Sequence, residues 1–242
     1  MEIRIFDTPE EAGKAAADII VETVVADPAA VLGLATGATP LPVYREMIRR
    51  YEKGDVTFSK TVTFNLDEYS SLPRKAESSY YTFMWSNLFS RIDIDGDNVH
   101  ILDGCAPDKA AECARFDGMI DEAGGVDVQL LGIGTNGHIG FNEPADEFTG
   151  GTFEVKLSQS TRDSNIKYFA DGNMPEYALT MGIGTIMKAK KILLMATGAS
   201  KAKAIYAAVK GEVTPRCPAS VLQNHPDAVF LLDKAAAKLL ED

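Results

Sequence analysis

Glycines crowd around one histidine in the stretch GIGTNGHIGFNEP, residues 132–144, which places Glu143 five residues beyond His138. An imidazole titrates near neutrality, at about 6.5, so it can take and return protons under physiological conditions. Asn136 and Glu143 lie close enough in sequence to orient its ring. A second acid, Asp67, follows the apolar run TVTFNL. Leu66 and Tyr69 beside it would exclude water and raise its pKa, which improves a carboxylate as a base. The turn TGATP, residues 36–40, opens a helical pattern. Gly37 supplies unusual dihedrals there. The NH groups of Ala38 and Thr39, with the Thr39 hydroxyl, can face an anion at a helix N-terminus. Lys201, in GASK, would add the positive charge. A base, a proton shuttle and a phosphate cradle together point to proton abstraction next to a carbonyl on a sugar phosphate.

Each feature also has a plainer reading. An aspartate after a strand is a frequent helix cap, a strand-to-helix turn commonly carries one, and a lone lysine is usually on the surface. What favours chemistry is convergence, because all four features follow apolar runs of one repeating pattern. Gly132, Gly134 and Gly137 also spell GxGxxG, but a dinucleotide fingerprint requires a helix from the third glycine. HIGFNEP has no helical period and ends in Pro144. His100 and His225 have no acids arranged around them and are read as structural.

The elements that must position these residues alternate along the chain. Short β-rich runs (EIRIF, AVLGLA, TVTFNL, NVHIL, VDVQLLGI, KILLMAT, DAVFLL) are interleaved with helical patterns, the first capped by Thr8 with Pro9 and Glu11 in its opening turn. Continuous apolar runs suit strands covered on both faces, so the expected fold is α/β: an open, mainly parallel sheet with helices on both faces. Ligands of such sheets bind outside the carboxyl ends of the strands. Residues 1–242 are read as one domain. The stretch from Ala145 to Gly182 is more polar, with one strand in TFEVKLS and one short helix near Thr161 to Phe169, and is read as a lid over the site.

Composition limits the partners. A formal charge of −11 disfavours nucleic acid and anionic membrane, leaving a phosphorylated small molecule held by local cations. No apolar run approaches the roughly 20 residues of a membrane span, and the opening MEIRIFDTPEE lacks a signal-peptide layout, so a cytoplasmic location is expected. Cys105, Cys113 and Cys217 form no zinc-site spacing. No metal and no cofactor are expected.

Six blocks, FNLDEY, ESSYY, GIGTNGHIGFNEP, TMGIGTIM, ATGASKA and LQNHP, occur in an order that closely resembles glucosamine-6-phosphate deaminases nearly end to end. The resemblance implies a Rossmann-like sheet of the type shared with phosphogluconolactonases and ribose-phosphate isomerases. It implies conversion of glucosamine 6-phosphate and water to fructose 6-phosphate and ammonia. On matching positions, Asp67 would move a proton between C2 and C1 through an enolamine. His138 would open the pyranose ring, Glu143 would orient and polarise it, and Asn136 takes the place of a second partner that is often Asp. Thr36, Gly37, Ala38 and Thr39 would cradle the phosphate with Lys201. Lys167 stands where the family has an arginine, keeping charge and losing the bidentate fork. Ala38 stands where a glycine is common. Larger relatives bind an amino-sugar-phosphate activator early in the lid. The aligned Asp146, Phe153 and Val155 would repel or ignore a phosphate, which implies a non-allosteric enzyme, monomeric or a weak homo-oligomer.

Two alternatives stand beside the deaminase. A sugar-phosphate isomerase or lactonase on the same scaffold would release no ammonia. A sugar-phosphate-sensing effector domain would keep Lys201 and the turn but would not need Asp67 with His138, and would normally carry a basic DNA-binding segment.

Overall fold

The computed structural model describes residues 1–170 and 172–240. Pro9–Ala26 (α1) follows the first strand, Glu2–Phe6 (β1), and starts at a complete capping box between Thr8 and Glu11. Val31–Leu34 (β2), Leu41–Glu52 (α2) and Val62–Asn65 (β3) come next. The chain then leaves the main rhythm for the three-residue strand Asp67–Tyr69 (β4), before Tyr80–Asn87 (α3), Val99–His100 (β5), Lys109–Glu122 (α4) and Val128–Leu131 (β6). Phe153–Lys156 (β7), Gln159–Asn165 (α5) and Tyr177–Thr180 (β8) occupy the polar stretch. Ile183–Ile186 (α6), Lys191–Ala196 (β9), Ala202–Lys210 (α7), Ala228–Asp233 (β10) and Lys234–Ala237 (α8) complete the order.

Among the described residues, seven strands form one parallel sheet in the order β1-β10-β9-β6-β2-β3-β5. The apolar runs are continuous because both faces are covered. In β9, Ile192, Leu194 and Ala196 face the cluster shared with α4, α6, α7 and α8, while Leu193 and Met195 face the one shared with α1, α2 and α3. The expected α/β architecture is what forms.

A second sheet stands outside that expectation. Strands β4, β8 and β7 pair antiparallel in that order, with Asp67 opposite Thr180. DEY therefore begins a strand and not a capped helix. The polar stretch holds two strands where its sequence suggests one, and its short helix begins at Gln159 with Ser158 as cap. Tyr69, Phe141, Leu157, Phe169, Met174 and Ala178 give this sheet a small core of its own. Among the described residues, no helix is long and apolar enough to cross a membrane.

Candidate active site

The four loops singled out in the sequence follow β9, β6, β2 and β3, which are adjacent in the sheet. Their side chains open on one cavity of about 200 Å³ lined by Thr36, Gly37, Ala38, Thr39, Asp67, Asn136, His138 and Lys201. Two of the predicted residues do not line it. Glu143 stands behind His138. Lys167, on the turn after α5, holds its ammonium 5.0 Å over the ring of its own neighbour, Tyr168.

Asp67 sits at the junction of the two sheets. Leu66 is bonded on both sides, its NH to Leu34 O at 3.0 Å and its carbonyl accepting from Met181 N at 2.8 Å. That clamp turns β3 directly into β4 and holds the Asp67 side chain inward, only 6% exposed. The His138 loop closes over it. Gly140 has φ +55, and a β-carbon there would meet Thr180 Oγ1 at 3.0 Å and Asp67 Oδ2 at 3.8 Å, so a bare backbone passes close to the carboxylate. Burial, helped by the neighbouring charge of Glu68, pushes Asp67 up to about 8. Glu68 is itself buried and accepts from the backbone NH groups of Tyr69, Tyr80 and Tyr81, which fixes the start of α3 beside the cavity.

His138 is held from below and from behind. Its carbonyl accepts from Gly134 N at 2.9 Å and its NH donates to Asn136 Oδ1 at 3.2 Å. Asn136 thus contacts the histidine through the backbone and not through the ring. Its Nδ2 donates to Glu143 Oε2 at 2.8 Å, and the same oxygen lies 3.7 Å from His138 Nδ1, beyond hydrogen-bond reach. Oε1 of Glu143 accepts from Ser158 Oγ at 3.0 Å and from the Thr161 hydroxyl. Burial would raise the carboxyl, but His138, the Thr161 hydroxyl and the Asn136 amide together hold it down to about 2.

On the phosphate side, Gly37 takes the positive φ of the turn (+95), while Ala38 does not have one; its β-carbon is therefore tolerated where the family commonly has glycine. The Tyr44 hydroxyl donates to Ala35 O and pins the base of the turn to α2. Lys201 donates to Ile133 O at 2.7 Å, and its pKa is lowered by burial and by the nearby Lys167 ammonium. The NH of Gly198 is already taken by the Asp233 carboxylate at 2.9 and 3.0 Å, so it does not face an incoming anion.

Several lining residues escape the sequence reading: Tyr80, Phe141 and, from α5, Ser160, Thr161, Ser164 and Asn165. The Tyr80 hydroxyl donates to Tyr69 at 3.2 Å and also pairs with Thr36, and Tyr69 pairs with Asn165. These contacts join the phosphate-side turn to the lid helix. The available signal is ESSYY and the Ser158-x-x-Thr161 cap, both hidden in polar sequence.

A family model described as glucosamine-6-phosphate isomerases/6-phosphogluconolactonase matches residues 7–231. A glucosamine-6-phosphate deaminase of Clostridium botulinum (strain Alaska E43 / Type E3) is 46% identical over 241 residues, covering 99% of this chain and 97% of that protein. One from Alkaliphilus oremlandii (strain OhILAs) is 47% identical, covering 99% and 100%. A solved structure of a monomeric glucosamine-6-phosphate deaminase superimposes with a TM-score of 0.96 at 42% identity, covering 99% of this chain and 100% of that one.

Proposed function

Since the chain belongs to the glucosamine-6-phosphate isomerase/6-phosphogluconolactonase family, we propose that it is the deaminase of that family, converting glucosamine 6-phosphate and water to fructose 6-phosphate and ammonia. The observation that carries this reading is the meeting of Asp67, His138 and Lys201 around one cavity.

In this mechanism Lys201 and the Thr36–Thr39 turn bind the phosphate and fix the sugar chain, with Lys167 adding charge from the lid. His138 takes the C1 hydroxyl proton and returns a proton to the ring oxygen, which opens the pyranose to the aldehyde. Glu143 stabilises the imidazolium that forms between those two transfers. Asp67 removes the C2 proton while the ammonium on C2 gives up a proton that goes to O1, yielding an enolamine, and Asp67 then delivers its proton to C1, leaving an iminium at C2. Water adds at C2, and ammonia departs as the ketone forms. Asp67 acts in its ionised form, which its burial opposes, and an ammonium on C2 beside the carboxylate lowers its pKa when substrate binds.

The excursion 145–182 is the lid, a role supported by the residues that α5 contributes to the cavity. A monomeric or weakly associated state is supported by the monomeric relative. Asp146, Phe153 and Val155 favour a chain without an amino-sugar-phosphate activator. A cytoplasmic location fits Cys105, Cys113 and Cys217, all of them free thiols.

A coupled assay for ammonia and fructose 6-phosphate, with glucosamine 6-phosphate as sole substrate, tests the activity. Sugar isomerisation without ammonia release would reject it. His138→Gln should slow the cyclic substrate far more than an open-chain analogue, and equal losses would remove His138 from ring opening.

A further inference from the structure

Glu143 divides its two oxygens between separate parts of the molecule. Oε2 belongs to the loop after β6, where it accepts from Asn136 and faces His138. Oε1 belongs to the lid, where both of its donors, Ser158 and Thr161, lie at the start of α5. The Ser158 hydroxyl also accepts from Thr161 N at 3.2 Å, so one capping turn of helix and one carboxylate are built together. Thr161 is 3% exposed. The titratable group facing Glu143 is His138.

We propose that Ser158 and Thr161 are positioning residues, which act through Glu143 to set the direction and distance at which its carboxylate meets the His138 imidazole. This rests on the reading of His138 as the ring-opening group. A carboxylate has many rotamers and would turn to water if Oε1 were free. With both hydroxyls donating, Oε1 is fixed and Oε2 is left aimed at Nδ1. The 3.7 Å gap is short enough that a small shift of α5 would make the hydrogen bond. Lys167 follows Thr161 on the same lid segment, so a phosphate drawing on that lysine would move the helix that holds Glu143.

Thr161→Val keeps the shape of the side chain and removes the hydroxyl. It should lower kcat on glucosamine 6-phosphate about tenfold, the cost of a lost hydrogen bond to a charged group, while KM changes by less than about twofold. Its loss of stability in acid should begin at a higher pH than in the parent, because Glu143, held down to about 2 with both donors in place, protonates more easily with one fewer. Thr161→Ser should restore both. In a His138→Gln background, Thr161→Val should cost nothing further, because the residue it acts through is gone. Ser158→Asp retains the helix cap but sets a second negative charge against Glu143, and should raise the pH of that acid loss in the same sense. A serine variant as impaired as the valine one, a loss that adds fully to that of His138→Gln, or an unmoved onset of acid instability in both lid variants would overturn the proposal. Failure of the parent reading is seen separately, in His138→Gln alone on the cyclic and open-chain substrates.

Discussion

The ring of His138 fills the space that a side chain on Gly134 would need. A β-carbon on Gly134 would lie 2.3 Å from Cε1, 2.4 Å from Nδ1 and 2.5 Å from Nε2. The middle glycine of the GxGxxG run therefore seats an imidazole and approaches no pyrophosphate. Gly134→Ala should push the ring out of line and lower kcat about a hundredfold, the scale of an ångström-sized misplacement, with a smaller change in KM. Steady-state kinetics on the cyclic substrate check this, and a variant with normal turnover would show that the ring can be moved without harm.

Asp67→Asn should lower turnover by about 10²–10⁴ while substrate still binds, as expected for a group used in proton transfer. Its effect on stability runs the other way. With its folded pKa raised to about 8, Asp67 favours the fold when protonated. That contribution is complete below the ordinary value of 3.8 and is lost as pH rises through about 8. Asparagine does not titrate, so the variant should gain stability relative to the parent between pH 5 and pH 9. The gain should be a few kcal/mol, on the order of 1.4 per pKa unit. Urea melts at the two pH values measure it, and a constant difference would show that the carboxyl is not held neutral.

Glu143 behaves in the opposite sense. Its folded pKa is depressed to about 2, so its stabilising contribution is present above the ordinary 4.5 and is lost as pH falls through about 2. Glu143→Gln should be less stable than the parent at pH 7 by roughly 1–3 kcal/mol, a deficit that closes in acid. Thermal melts across pH 2 to 7 follow it.

Lys201→Ala should raise KM for the phosphorylated substrate by about tenfold to a hundredfold, the size of a lost charge-assisted contact. The slow reaction of glucosamine without its phosphate should be little changed. A loss of equal size on both substrates would place Lys201 elsewhere in the mechanism.

The main sheet is legible in the sequence because a strand covered on both faces must be apolar along its interior, as the ILLMA of β9 and the AVFLL of β10 are. The second sheet is not. DEY is three residues long, and its pairing with YALT joins positions more than a hundred apart, so neither local periodicity nor turn chemistry marks it. The same limit applies to the site. Asp67, His138 and Lys201 follow strands, and the strand-end rule brings them together. Ser158, Thr161 and Asn165 are polar residues in a polar segment, and only the folding of α5 over the cavity distinguishes them from a solvated surface.

The Thr149 hydroxyl donates to Asn142 Oδ1 at 2.5 Å and accepts from Ile183 N at 2.8 Å, while its carbonyl accepts from Gly184 N at 3.1 Å. One threonine thus fastens the departing and returning chain to the histidine loop. With the ends tied, lengthening the intervening stretch costs little loop entropy, since that cost grows only logarithmically. The stretch is consequently a cassette: its contents can diverge while the sheet and the histidine loop to which it is fastened keep their shape.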